Sequence, residues 1–450
     1  MDLLIDSRRQ MRALVVPIFI ELLLVTLMGA ADTFMLAQYS DDAVAAVGVA
    51  NQIITLAFLV FQIINTGTSV LCSQYLGAGK RHKMHQVTAM ALLLNLISGI
   101  ILSLVLSLGA PWLLRWMGLD DYLMQYGLPY MQLVGAFAFF QALHLTISAS
   151  LRSDHKAIYP MLVVILVNIV NIAGNYSLIF GHWGMPALGV RGAAIATDIS
   201  RGVAMFTLFG VLFFRHISVR ELRLAFSAKR QELTQIMGDL LRIGLPSAGE
   251  NMSYNAQQLV LTYFITSLGA ASLAARVYVI NATMFVYVFC ICVAQAASIV
   301  IGHLVGDKHY DASYRLGWYA LRIAMITTMT LSVCLAFVGG NVMSLLTDNP
   351  EIITLGATIL FVDIAVEAGK CTNIYYTNVL RAVGDVNFPF YVGITIQWLV
   401  GVLLGYILGI RLGLGLVGMW CAFICDESIR GLIFIFRWRN KRWQNRSFVK

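Results

Sequence analysis

Apolar residues in this chain run in long blocks instead of alternating with polar ones, and the blocks end at Gly, Pro or charged residues. A membrane crossing needs about 20 mostly apolar residues, and stretches of that kind recur from one end of the chain to the other. Weighing apolar length against these breaks predicts twelve helical spans. They lie near 13–37, 44–71, 86–110, 123–150, 158–181, 189–214, 240–267, 273–301, 315–339, 354–379, 387–409 and 415–436. No large soluble domain fits between them. The stretch from Met1 to Arg12 is short and basic, and the apolar run behind it outlasts a signal-peptide core, so it reads as the first span.

Sliding the chain against itself reveals a repeat. One constant offset takes Pro17 and Glu21 to Pro246 and Glu250, Ala45 and Ala46 to Ala274 and Ala275, Ser69 to Ser298, and Gly77 to Gly306. The same offset takes Leu151, Arg152 and Pro160 to Leu380, Arg381 and Pro389, and Gly189, Arg201 and Gly202 to Gly418, Arg430 and Gly431. The expected fold class is therefore an all-α membrane protein with twelve transmembrane helices in two parallel six-helix repeats. The expected domains are 1–214 and 237–450, joined by a cytoplasmic linker over 215–236 that is mixed in charge and poor in apolar residues. Repeats of six spans enter the membrane in the same direction, and such pairs usually carry their solute site at the repeat interface.

Composition agrees with this pattern. The chain is 59% hydrophobic and 12% charged, against roughly 25% charged in soluble globular proteins. Its net charge of +8 is spread over short loops and does not form one block, which argues against a nucleic-acid partner. Lys and Arg gather at the N-terminus (Arg8, Arg9, Arg12), in loops with Lys80, Arg81 and Lys156, and in the C-terminal tail. The opposite loops offer Arg115, Arg191, Arg276 and Arg411. The positive-inside rule then puts both termini in the cytoplasm and the chain in the cell (inner) membrane. The seven cysteines show no metal-ligand spacing. No HExxH or recognisable Ser-His spacing points to an enzyme, and Gly77-Ala78-Gly79-Lys80 lacks the spacing of a phosphate loop.

Ionisable groups inside spans are costly and mark function. Asp32, late in the first span, is the leading candidate: a buried carboxylate suits a proton carrier, and surrounding amide oxygens would suit a cation. Asn171 and Asn175 are four apart and share a face of the fifth span. Glu21 and Glu250, each four residues after a proline, either line the cleft, cap freed backbone or snorkel to water. Asp363, Glu367 and Lys370 share a face of the tenth span and, with Asn255, form a second polar group. Asp198 with Arg201 and Glu427 with Arg430 repeat an acid three residues before an arginine, the spacing of self-neutralising pairs. Tyr254, Tyr278, Met284, Phe285, Tyr287 and Phe289 fit a substrate path or a lipid face equally.

Pro17, Asp32, Gly77-Ala78-Gly79, Leu151-Arg152, Gly192-Ala193-Ala194-Ile195-Ala196-Thr197, Gly244-Leu245-Pro246, and Leu380-Arg381 before Gly384-Asp385 come in an order and duplication that resembles the multidrug and toxic compound extrusion (MATE) family. The resemblance implies a V-shaped pair of bundles that exports amphipathic, cationic or drug-like small molecules in exchange for H+ or Na+ by rocking. It also implies an ion-coupling group of Asp32, Asn171, Asn175 and Thr197. In one branch of the family the second span-5 position is an acid; here it is Asn175, which favours H+ over Na+. A carboxylate of the sodium-coupled branch falls near Lys370, so a built-in cation would replace a bound one. The alternatives are a lipid-linked saccharide flippase or an exporter of one metabolite. A flippase calls for clustered interior cations, for which Lys370, Arg201, Arg322 and Arg430 are the candidates. The expected partners are a small-molecule solute and the bilayer, with a monomeric chain and no cofactor beyond the coupling ion.

Overall fold

The computed structural model describes residues 2–227 and 229–449, and among them there is no strand. The first half holds α1 (Asp2–Tyr39), α2 (Asp41–Gly77), α3 (Arg81–Leu108), α4 in two arms (Asp121–Ala136 and Ala138–Ser153), α5 (Ile158–Phe180) and α6 (Val190–Arg215). The second holds α7 (Arg230–Thr266), α8 (Ala270–Gly306), α9 (Tyr310–Phe337), α10 (Pro350–Ala382), α11 (Asn387–Arg411) and α12 (Gly415–Arg439). Short helices Ala110–Trp116 and Gly339–Ser344 follow α3 and α9 at matching places, and Val219–Phe226 forms a helix in the linker.

Nine of these helices are long and apolar enough to cross a bilayer on their own, and α4, bent by 48° between its arms, makes a tenth. The other two, α7 and α12, have the length but not the apolarity. At about 1.5 Å per residue their 37 and 25 residues exceed a membrane's hydrocarbon thickness. Each is polar because it carries groups that the fold buries: Glu250 and Gln257 on α7, and Asp426, Glu427 and Arg430 on α12. Lipid would not tolerate these groups, whereas a bundle interior can pair them. Twelve membrane-length helices result.

By packing, the chain divides into Val16–Gly244 and a second unit made of Leu245–Lys450 with the start of α1 up to Val15. The expected boundaries at 214 and 237 therefore differ from the observed ones. The linker and the first turns of α7 belong to the first unit, and the first turns of α1 belong to the second. Contacts explain both exchanges. Glu232 pairs with Lys83 at 3.0 Å, and Gly244 lies so close to α2 that a Cβ would overlap the carbonyl of Ile63. At the other crossing Arg12 donates to the hydroxyl of Tyr319, and Arg8 lies 4.3 Å from the centre of the same ring. Pro17 and Pro246 stand just past the two crossings, where the missing N–H loosens the helix ladder.

Each unit has its own core. In the first, Ala43, Ala46, Val47, Phe61, Met131 and Val134 are buried together; in the second, Leu261, Ile265, Val279, Ile359, Met419 and Trp420. In α11 the segments Gln397–Val402 and Ile407–Arg411 wind as wide π turns. Gln257 of α7 donates to the carbonyl of Gln397 at 3.1 Å, and its amide fills the place a Cβ on residue 401 would take, so glycine stands there. A side chain inserted against the ladder is a known cause of such wide turns.

Candidate functional site

Asp32 lies two turns before the end of α1 and meets α5. Asn175 donates its amide N–H to Asp32 Oδ1 at 2.6 Å and to Asn171 Oδ1 at 3.2 Å. Both asparagines are buried and Asp32 is half-buried. One amide group thus bridges a carboxylate and a second amide, and a single helix face, i and i+4, supplies both asparagines. Thr197 is not drawn in: its hydroxyl donates to the carbonyl of Ala193 on its own helix at 2.9 Å. A threonine bonding back one turn satisfies itself and leaves no donor for a neighbouring helix.

Glu21 and Glu250, expected to line the cleft, cap backbone or reach water, do something else. Arg152 donates to Glu21 at 2.5 Å and Arg381 to Glu250 at 2.6 Å, both acids being buried. Each pair ties the first helix of a repeat to its fourth, and the repeat offset relates both partners. The Leu-Arg motif was visible in the sequence, and its partner was the glutamate one helical turn past each proline.

The second polar group is only partly assembled as expected. Lys370 pairs with Glu367 at 2.6 Å and lies 4.8 Å from the centre of the Tyr287 ring. Asp363 Oδ1 accepts from Trp420 Nε1 at 2.8 Å, and its other oxygen is buried without a partner. Asn255 stands apart, exposed and bonded to the carbonyl of Asn251. Asp363, Lys370, Tyr254, Tyr287, Trp420 and Glu427 line a cavity of about 440 Å³ inside the second unit. Arg276, expected in an outer loop, is buried on α8 and lines the same cavity.

The two acid–arginine repeats part company. Arg430 bonds Glu427 at 2.7 Å and also Asp426 at 2.9 Å, while Asn373 donates to Glu427's other oxygen at 2.7 Å. Asp198 and Arg201 form no such bond: Asp198 Oδ1 and Arg201 Nη1 are both buried without partners. Arg201 instead lies 5.3 Å from the centre of the Phe58 ring. The self-neutralising pair expected there is absent because the guanidinium turns to the ring. A neutral network missed by local spacing joins three helices: Asn95 donates to Asn65 Oδ1 at 3.1 Å and to Thr146 at 2.6 Å.

Where α4 and α6 end, Ser150, His216 and Asp154 align like a hydrolase triad. Ser150 Oγ lies 3.1 Å from His216 Nε2, and His216 Nδ1 lies 2.9 Å from Asp154. The carboxylate fixes the ring proton on Nδ1. Ser150, however, has no exposed surface and shares its hydroxyl with Thr88 at 2.8 Å, so no substrate reaches it. The group is a latch. Burial pushes the Asp154 carboxyl up, but hydrogen bonds from His216 and Lys156 outweigh that and hold it well below the ordinary carboxylate range. The linker helix is held by a capping box in which Ser218 and Glu221 satisfy each other's backbone N–H.

The MatE family pattern matches residues 17–177 and again 246–407, starting at the two prolines. The chain belongs to the MATE family. An uncharacterized transporter of Bacillus subtilis strain 168, YisQ, is 39% identical over 438 residues, covering 97% of this chain and 95% of that one. A probable multidrug resistance protein, NorM, of Thermotoga maritima is 24% identical, covering 99% and 95%. In fold, the chain resembles an outward-facing multidrug resistance MATE family transporter of the MOP superfamily, with a TM-score of 0.88, 21% identity and coverage of 97% and 96%. The protein is thus a multi-pass membrane transporter of small molecules. Membership fits the residues: family segments that begin at Pro17 and Pro246 restate the repeat offset read from the chain alone.

Proposed function

We propose that this MATE transporter exports amphipathic, cationic or drug-like molecules in exchange for protons, with Asp32 as the proton carrier. The observation that carries the reading is the Asp32–Asn175–Asn171 chain. Its only ionisable member is one carboxylate, and the nearest amide turns its nitrogen, not its oxygen, towards that carboxylate. A hard cation such as Na+ needs several oxygens converging on one point, whereas one carboxylate suffices for one proton. A hydrogen bond to an ionised acceptor is about twice as strong as one to a neutral acceptor. Protonating Asp32 therefore weakens the tie between α1 and α5, and deprotonation restores it. Proton uptake is in this way linked to the packing of α1, the helix that carries Pro17.

The flippase alternative finds less support. Of the four candidate cations, Lys370 and Arg430 are neutralised by Glu367 and by Asp426 with Glu427, Arg201 lies over the Phe58 ring, and Arg322 is exposed. Orientation with both termini in the cytoplasm of the cell (inner) membrane follows from the loop charges.

The test is export driven by a proton gradient in everted membrane vesicles. Asp32→Asn is expected to abolish gradient-driven uptake while the protein stays in the membrane at normal levels. Uptake that survives in this variant would remove Asp32 from the mechanism. Uptake that needs sodium and ignores the proton gradient would reverse the choice of ion.

A further inference from the structure

The second unit holds a cavity of about 440 Å³ whose chemistry the proton cycle at Asp32 leaves unused. Small-molecule sites typically measure about 300–1,000 Å³ and combine apolar walls with a few placed polar groups. Here Tyr254, Tyr287, Trp420, Phe423 and Met284 supply the walls. Four acidic or basic side chains line the cavity: Arg276, Lys370, Asp363 and Glu427.

These four divide into matched and unmatched charges. Lys370 is neutralised by Glu367 at 2.6 Å, and Glu427 is neutralised by Arg430 at 2.7 Å with Asn373 on its second oxygen. Arg276 has only neutral partners: it donates to the hydroxyl of Thr262 and to Gln258 Oε1 at 2.7 Å, and its Nε is buried with no acceptor. Asp363 accepts only from the neutral Trp420 indole, and its Oδ2 is buried with no donor. Among the described residues neither Arg276 nor Asp363 is bonded to an opposite charge, although Lys370, already bonded to Glu367, attracts Asp363 through space, and both stand on the wall of a single cavity. An isolated buried charge is costly unless something pairs with it.

We propose that this cavity is a binding site for a zwitterionic small molecule with an aromatic or apolar body, whose carboxylate meets Arg276 and whose ammonium meets Asp363. The lining as a whole carries two positive and two negative groups. A simple cation would gain Asp363 but face Arg276 and Lys370; a simple anion would gain Arg276 but face Asp363 and Glu427. A molecule carrying both charges satisfies both orphaned groups and meets no net repulsion. Gln258, which holds the guanidinium from α7, is a positioning residue for Arg276.

The pair is a feature of this unit and not of the repeat. The repeat offset carries Arg276 and Asp363 back to Val47 and Val134, both buried in the apolar core of the first unit. Nothing in the shared architecture calls for the two charges. The proposal names a substrate class for the transport reading and rests on that reading only for what happens after binding; the binding itself does not involve Asp32.

Equilibrium dialysis with the purified full chain and three radiolabelled indoles tests it: tryptophan, tryptamine and indole-3-propionate share a body and differ in charge. Tryptophan is expected to bind at least about tenfold more tightly than either singly charged probe, the effect of about one charge-assisted hydrogen bond. Arg276→Gln should weaken tryptophan by about tenfold or more and strengthen tryptamine, because a like charge is removed. Asp363→Asn should weaken both tryptophan and tryptamine. Thermal unfolding of each variant separates lost binding from lost folding, and the opposite responses of tryptamine in the two variants cannot come from a common loss of structure. Tryptamine binding as tightly as tryptophan in the unaltered protein would overturn the proposal. So would an unchanged tryptophan-to-tryptamine ratio in Arg276→Gln, or no binding of any probe at millimolar concentration. Dialysis uses no ion gradient, so a failure of proton coupling at Asp32 would appear in the vesicle assay and not here.

Discussion

The two halves share one helix plan but place their polar groups at different positions along it. The first half sets Asp32, Asn171 and Asn175 together; the matching places of the second half hold Leu261, Val400 and Leu404. The second half sets Asp363, Glu367 and Lys370 together; their counterparts in the first half are Val134, Ala138 and Gln141. Asn65, Asn95 and Thr146, bonded to one another in the first half, become Ala294, Ala324 and Tyr375. What both halves retain is the buried bridge from the first helix to the fourth, Glu21 to Arg152 and Glu250 to Arg381. In this bridge the shared charges hold each bundle together, whereas the groups around Asp32 and around Asp363 are where the bundles differ. The backbone follows the same division: α4 is bent where α10 is continuous, and α11 carries π turns where α5 is regular.

Exchanging residues between matching positions gives the sharpest break of this comparison. Asp32→Leu installs the residue of the second half, and export is expected to fall to background with the fold intact, since Asn171 and Asn175 can still bond each other. The reverse change, Leu261→Asp, buries a carboxylate in the apolar core that holds Ile265, Val279 and Met419. Its expected result is destabilisation of about 3 kcal/mol or more, seen as reduced yield of folded protein, and no second coupling site. Robust export by Asp32→Leu, or a stable Leu261→Asp, would mean that the halves are functionally interchangeable.

The next effect compares Arg201 with Arg430, which the offset also relates. Arg430 satisfies both Asp426 and Glu427, so Arg430→Met leaves two buried acids without their cation. Breaking a buried pair in this way costs about 3–5 kcal/mol. Among the described residues Arg201 bonds neither Asp198 nor another acid; its guanidinium contacts the Phe58 ring and attracts Asp198 and Asp32 only through space. Arg201→Met is expected to cost about 1 kcal/mol or less, the worth of a cation–π contact. Unfolding in matched detergent micelles measures both, and equal losses would show that the second half's triad is no stronger than the first half's ring contact.

Much of this was legible before any coordinates, for identifiable reasons. The spans and the repeat rest on apolar run length and on Pro, Gly and Glu at one offset, signals that need no knowledge of neighbours. The Asn171–Asn175 pair was readable because both residues share a helix face. Partners from other helices were not. Arg276 sits near a span end and reads as a loop cation; only Gln258 and Thr262, four apart on α7, reveal that a neighbour receives it. Asp426 escaped notice beside Glu427, although Arg430 lies four residues from one and three from the other. Local spacing also suggested an Asp198–Arg201 pair, and the ring of Phe58, from α2, drew the guanidinium away. The crossing of α1 and α7 between units is a tertiary fact with a faint sequence trace, the two prolines beside it.

The smallest effect separates the loops that follow the two Leu-Arg motifs. In the second half Asp385 accepts from Arg437 of α12 at 2.7 Å. In the first half Asp154 is gripped by Lys156 at 2.7 Å, His216 at 2.9 Å and Arg81 at 3.1 Å, which ties the loop to the chain just before the linker helix. The Asp154 carboxyl is held well below its ordinary range. A depressed carboxyl contributes stability that is complete above its unfolded value of about 3.9 and is lost as pH falls through the folded one. The carboxyl's share in holding the linker is therefore expected to be constant from pH 8 to pH 5 and to fade only under stronger acid. Asp154→Asn should remove about 1–2 kcal/mol of local protection across that whole neutral range, allowing for its partial exposure. Hydrogen exchange of residues 215–227 reads this directly. A wild-type linker that loosens between pH 8 and pH 5 while the Asn variant does not would assign the latch's pH response to the carboxyl after all, against its charge environment.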